Sequence, residues 1–204
     1  MRKARFITLE GIDGAGKSTQ MPKIEAVLKS HGVEYVMTRE PGGTPVGEKL
    51  REILLHQAME PETEALMMFA SRAEHIATVI KPALEKGKWV ISDRFTDASF
   101  AYQGGGRGIP FDRLENLEQW VQKGFQPDLT LLFDVPVEIA RKRLSKNESL
   151  DRFEHEREAF FERVRKAYLD RASRHPERFL VMDSSLSIEA IHAGIEQAIS
   201  SLCP

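Results

Sequence analysis

Residues 11–18 read Gly-Ile-Asp-Gly-Ala-Gly-Lys-Ser, a complete match to the Gly-x-x-x-x-Gly-Lys-Ser/Thr phosphate loop, directly after the strand-like run Arg5-Phe-Ile-Thr-Leu-Glu10. Such a loop works only between a strand and a helix, so the match dictates a strand–loop–helix unit at the head of an α/β domain. Gly11, Gly14 and Gly16 let the backbone curl so that successive N–H groups face phosphate oxygens. The stretch Gly11, Ile12, Asp13, Gly14, Ala15, Gly16, Lys17, Ser18 and Thr19 is therefore expected to wrap the phosphates of a nucleoside triphosphate. Lys17 supplies a mobile cation for the β- and γ-phosphates and the Ser18 hydroxyl a ligand for Mg²⁺.

The rest of the chain repeats the strand–helix alternation. Strands are expected at 5–10, 33–38, 88–92, 129–134 and 178–183, with helices between them. Gly32 and Gly87 stand where helices should be capped at their C-terminal ends, Pro136 where one should begin, and a helix is expected from about Glu62 to Glu85. At the C-terminus Ile188, Ile191, Ile195, Ala198 and Leu202 recur with a helical period. Strands apolar on both faces, each followed by a helix, imply a five-stranded parallel sheet covered on two sides, in one domain of 204 residues.

Composition removes several classes. With 29 basic against 31 acidic residues the chain has no field for gripping a nucleic acid. A single cysteine, Cys203, excludes a disulfide framework or a cysteine-based zinc site within the chain. The apolar runs are strand-length, far short of a membrane span, and a soluble cytoplasmic protein is expected.

In a parallel sheet ligands bind beyond the carboxyl ends of the strands, and polar residues gather there. The second strand runs into Thr38-Arg-Glu-Pro-Gly-Gly-Thr44, the third into Asp93-Arg94-Phe95, the fourth into Asp134 and the fifth into Asp183-Ser184-Ser185. Asp93, ending an apolar strand, has the Walker B arrangement of a carboxylate near Mg²⁺, or is simply a strand-ending aspartate.

Taken together, Thr38–Thr44, Asp93-Arg94-Phe95, Ala101-Tyr-Gln-Gly-Gly-Gly-Arg107 and Leu150-Asp-Arg-Phe-Glu154 resemble bacterial thymidylate kinases over essentially the whole chain. The resemblance implies a P-loop fold, phosphorylation of dTMP to dTDP by ATP and Mg²⁺, and a homodimer. It also implies that Phe69 stacks on thymine, Arg72 donates to its O4 and Ser99 lies against N3, with Gln103 facing the same pocket. Left to themselves these residues also fit core packing for Phe69 and a salt bridge for Arg72. Asp13 would meet the 3′-hydroxyl and Tyr102 would fill the space of a 2′-hydroxyl; the alternatives are a loop-stabilising turn and a core tyrosine. Arg39 and Arg94 would clamp the monophosphate beside Pro41.

A monophosphate oxygen is already anionic near neutral pH, because the second proton leaves with a pKa of about 6. Catalysis then needs alignment and charge neutralisation by Lys17, Mg²⁺ on Ser18 and Asp93, Arg94 and one more arginine. Thymidylate kinases with a catalytic arginine in the phosphate loop carry it at the position of Gly14. Its absence here moves the role to a short lid, about 143–153, with Arg152 the first choice and Arg143 the second, unless both are merely solvated. No Asn-Lys-x-Asp guanine motif is present, so the serious alternative is another nucleoside monophosphate or deoxynucleoside kinase.

Overall fold

The computed structural model describes residues 4–144, 152–154 and 156–203. Five strands, β1 (Phe6–Glu10), β2 (Tyr35–Arg39), β3 (Trp89–Asp93), β4 (Leu129–Asp134) and β5 (Phe179–Asp183), form one sheet in the order β2-β3-β1-β4-β5. Every pairing is parallel, and each strand begins within two residues of its expected start. Central β1 is buried at all five positions, whereas the edge strands β2 and β5 are partly open. The helices are α1 (Lys17–Ser30), α2 (Pro45–His56), α3 (Pro61–His75), α4 (Lys81–Glu85), α5 (Thr96–Ser99), α6 (Phe111–Gln122), α7 (Val137–Leu144), α8 (Glu158–Arg174) and α9 (Ile188–Leu202).

Gly32 and Gly87 do cap helices, with φ of 62° and 77°. Beyond each, a backbone N–H reaches back into the last turn, Val33 to the Leu28 carbonyl and Lys88 to that of Ala83, both at 3.0 Å. Pro136 stands one residue before α7. The helix expected from Glu62 to Glu85 is not a single α-helix: α3 and α4 are joined by a π-helical segment, Ile76–Ile80. Pro82 lacks an N–H and its ring would meet the carbonyl four residues back, and the wider turn accommodates both. A second π-helical segment, Phe100–Gly106, follows α5.

The main core joins both faces of the sheet through Ile7, Leu9, Leu131, Phe133, Val164 and Ile195. On α9 the buried stripe is Ile191, Ile195 and Ile199, while Ile188 in the first turn is half-exposed.

Candidate active site

The carboxyl ends of β1, β2 and β3 open into one cavity of roughly 580 Å³ that runs from the phosphate loop to Arg72, Ser99 and Gln103. The loop glycines take the left-handed or extended positive-φ conformations expected, Gly11 at 138°, Gly14 at 80° and Gly16 at 98°. Gly14, Gly16, Lys17, Ser18 and Thr19 face the cavity, whereas Ile12 and Ala15 are buried beneath it, so those two can offer a ligand only their backbone. Gly11 is pressed against β4, where a Cβ would strike the Phe133 carbonyl. Ser184 Oγ donates to the Ala15 carbonyl at 2.5 Å and ties the β5 exit to the loop.

Lys17 Nζ donates to the Gly11 and Ile12 carbonyls at 2.9 and 3.1 Å. Burial, with Arg94 adding to it, pushes its pKa down, against the pull of Asp93, Asp13 and Glu10. The ammonium is thus held desolvated at the cavity edge, with two backbone carbonyls as its hydrogen-bond acceptors. Ser18 is exposed on the cavity wall, and Asp93 Oδ1 is buried without a hydrogen-bond partner. Two hard oxygen donors of this kind suit Mg²⁺, which takes one or two protein ligands and completes its shell with waters and phosphate oxygens. Among the described residues no cluster of three or more His, Cys, Asp or Glu ligands assembles.

Next to the loop, Arg94, Asp13 and Tyr102 form a closed triangle. Arg94 Nη2 donates to Asp13 Oδ1 at 2.5 Å and to Tyr102 Oη at 2.9 Å, and Tyr102 Oη donates to Asp13 Oδ2 at 2.7 Å. Burial alone would raise the Asp13 carboxyl, but Arg94, Lys17 and the Tyr102 hydroxyl together hold it below its ordinary range. Arg94 adopts φ 69°, a conformation unusual for a residue other than glycine. Its Nε is buried without a partner. Arg39 borders the same cavity from β2 and in this state pairs with Glu48 at 2.8 Å on the surface. Pro41 lies on the wall beside it.

At the far end Arg72 is only 1% exposed. Its Nε donates to Glu40 Oε2 at 2.8 Å and its Nη2 to the Phe95 carbonyl at 3.0 Å and Ser99 Oγ at 3.1 Å, while Nη1 has no partner. Both alternatives read from the sequence are therefore present in one side chain, a structural ion pair and a spare donor. Phe69, which the resemblance sets against the base, is buried with Phe100, Ile109 and Leu114, its ring 4.7 Å from the Arg72 guanidinium, and the apolar lining of the cavity includes Met68, Leu55, Phe95, Ala98 and Phe153. Phe69 thus supports Arg72 from below. Gln103 lines the cavity and donates through Nε2 to Glu64 at 2.8 Å.

The two lid arginines part company. Arg143 stands at the phosphate loop, donating to the Gly14 carbonyl at 3.3 Å and the Ser184 carbonyl at 2.9 Å, and borders the cavity. Arg152 is docked away from it, on the Leu54 carbonyl at 3.1 Å and on fully buried Glu64 at 2.6 Å, which Arg107 also approaches at 3.3 Å. Of the expected lid, residues 145–151 lie outside the described residues, as do Leu150 and Asp151 of the Leu150–Glu154 motif.

Sequence reasoning missed Arg51, Glu40, His75 and Glu64. Arg51 lines the cavity and donates to the Pro41 carbonyl at 3.0 Å; its spacing of four from Leu55, another wall residue, was the available signal. Glu40 sat inside the quoted Thr38–Thr44 stretch with no sign of its partner 32 residues away.

A family model described as thymidylate kinase matches residues 9–195. The thymidylate kinase of Cupriavidus pinatubonensis is 61% identical over 98% of this chain and all of that protein, and that of Nitrosomonas eutropha 59% identical over 98% and 94%. Among solved structures, thymidylate kinase from Ehrlichia chaffeensis superposes with a TM-score of 0.78 at 35% identity, covering 97% of this chain and 98% of that one. A phosphate loop facing a buried arginine across one cavity, on this sheet order and with these relatives, makes the chain a member of the thymidylate kinase family.

Proposed function

We propose that this protein transfers the γ-phosphoryl group of ATP to dTMP, giving dTDP and ADP. The observation that carries the reading is one continuous cavity, with a triphosphate cradle at one end and at the other Arg72, whose buried Nη1 has no partner within the chain. Donor and acceptor then meet near Lys17, Asp93 and Arg94. Family membership supplies the identity of the base, and the Arg72 Nη1 donor fits the O4 carbonyl of thymine.

Asp13 and Tyr102 border the space for the sugar, where the carboxylate suits a 3′-hydroxyl and the ring leaves little room for a 2′-hydroxyl. Arg94, Arg39 and Arg51 supply the positive charge for the acceptor phosphate, and an arginine fork suits phosphate oxygens. Because that phosphate is already anionic, no general base is required. Lys17 neutralises charge on the donor side, and Mg²⁺ held by Ser18 and Asp93 would bridge the phosphates and offset developing charge. The lid-side cation passes in our reading from Arg152 to Arg143, which already borders the loop, while Arg152 anchors the base of the lid to Glu64.

We further propose a homodimer in the cytoplasm. Trp120 on α6 is 73% exposed and Leu66 on α3 is 55% exposed, on helices that pack together, and a second copy would cover them. Among the described residues no helix is long and apolar enough to cross a membrane.

Initial rates with ATP and Mg²⁺ against dTMP, dUMP, dCMP, UMP and AMP test the assignment. The expected order places dTMP first by kcat/KM; a clear preference for any other acceptor replaces it with the alternative, a kinase for a different nucleotide.

A further inference from the structure

The Arg72 guanidinium is planar, so fixing two of its nitrogens fixes the direction of the third. Nη2 is held by the Phe95 carbonyl and Ser99 Oγ, and Nε by Glu40 Oε2. Glu40 is itself held twice. Its backbone N–H donates to the Asp93 carbonyl at 2.9 Å, and its second carboxylate oxygen accepts from His75 Nδ1 at 2.9 Å. His75 is fully buried, and its Nε2 lies 2.7 Å from Thr38 Oγ1 on β2. The chain Thr38–His75–Glu40–Arg72 thus runs from the edge of the sheet to the base end of the cavity, and one group at that end, Arg72 Nη1, is left unpaired.

We propose that Glu40, braced by His75, is the positioning residue for pyrimidine selection: it fixes the guanidinium so that Nη1–H faces the 4-position of the base and accepts a 4-oxo but not a 4-amino pyrimidine. This rests on the dTMP kinase reading. A 4-oxo group offers a lone pair to the spare N–H. A 4-amino group would set donor against donor at the buried Arg72 guanidinium, where an unpaired polar group is costly. Without the carboxylate the guanidinium can swing about its remaining bonds to Phe95 and Ser99, and the direction of Nη1 is lost. Because only the 4-position is read this way, discrimination on the 5-methyl group does not pass through Glu40.

The test is steady-state kinetics of Glu40→Gln and His75→Leu with dTMP, dUMP and dCMP at saturating ATP and Mg²⁺, with melting curves to establish folding. Glu40→Gln keeps the shape but not both acceptors. It should raise KM for dTMP and for dUMP together by about tenfold, leave kcat within about threefold and KM for ATP unchanged, and lower the dTMP:dCMP preference at least tenfold. His75→Leu leaves the Arg72–Glu40 pair in place and should act in the same direction with smaller effect, so it decides the question if Glu40→Gln does not fold. An unchanged dTMP:dCMP preference in a folded variant overturns the proposal, as does an equal loss toward ATP and every acceptor, which marks a purely structural role. A wild-type enzyme that turns over dCMP as well as dTMP overturns the kinase assignment first and this inference with it, whereas wild-type selectivity retained in both variants removes this inference alone.

Discussion

Lys17 is held by two carbonyls of its own loop, and each such bond contributes about 1 kcal/mol net, partly offset by the cost of keeping an ammonium out of water. Lys17→Met should therefore shift the melting temperature by no more than a few degrees while lowering kcat/KM by at least about 10²-fold, the loss expected on the proposed role of the cation in neutralising charge that develops in transfer. A calorimetric melt beside a coupled assay checks both, and activity within tenfold of wild type would remove the lysine from the mechanism. The lid arginines separate in the same way. Arg143→Ala should lower kcat steeply with dissociation constants little changed, the mark of an interaction made mainly in the transition state. Arg152→Ala leaves the buried Glu64 carboxylate with one guanidinium fewer and should show chiefly as lost stability, because a buried charge stripped of a partner is costly. The reverse pattern would mean that Arg152 leaves Glu64 and closes over the phosphates. Asp93 and Arg94 were legible as cavity residues because they end an apolar strand, whereas Ser99 and Tyr102 were reached through the family resemblance. Glu40, His75 and Glu64 were not, because their meaning lies in pairings across 32 to 88 residues that appear only once the helices are packed.

Strand positions followed from short apolar runs ending in polar residues, but helix geometry did not, because a π turn keeps nearly the same apolar spacing as an α-helix. Ile76–Ile80 and Phe100–Gly106 both follow segments that feed the cavity, and the second carries Tyr102 and Gln103. Its glycines serve packing: a Cβ on Gly104 would meet Phe111, on Gly105 the Ala167 side chain and Arg163 carbonyl of α8, and on Gly106 Phe160. The phosphate loop is similarly committed. Gly14 has φ 80°, and a side chain there would run into the Ala140 carbonyl of α7. Gly14→Arg should consequently destabilise the fold by more than the 1 kcal/mol or so of ordinary glycine replacement and should not rescue Arg143→Ala. Recovery of turnover in the double variant would show that α7 yields to admit a loop arginine.

Across the whole molecule, the sheet order puts β1 between β3 and β4, so Glu10 at its end lies at the centre of the domain, fully buried. It meets the Phe95 N–H and the Tyr168 hydroxyl, each at 2.8 Å, joining β1 to the turn after β3 and to α8. Burial first, then the Asp97 carboxylate, push Glu10 up to about 8, against the Tyr168 and Phe95 hydrogen bonds and Arg94. Between its ordinary value of 4.5 and about 8 the folded chain holds a proton that the unfolded chain has released, so this group costs stability as pH rises through that window. Glu10→Gln, a neutral replacement of the same shape, should flatten the decline; urea unfolding at pH 5, 6.5 and 8 checks it, and parallel curves for the two proteins would show that Glu10 does not titrate there. This scaffold holds Lys17, Asp93 and Arg94 around the place where, on the proposed function, the phosphates of two nucleotides meet. The direct measurement is transfer of label from γ-³²P-ATP, followed by chromatography, with dTMP and Mg²⁺ each present or omitted. Labelled dTDP that requires both is the expected product; label released only as inorganic phosphate, or at a rate indifferent to dTMP, would rule out transfer between two bound nucleotides.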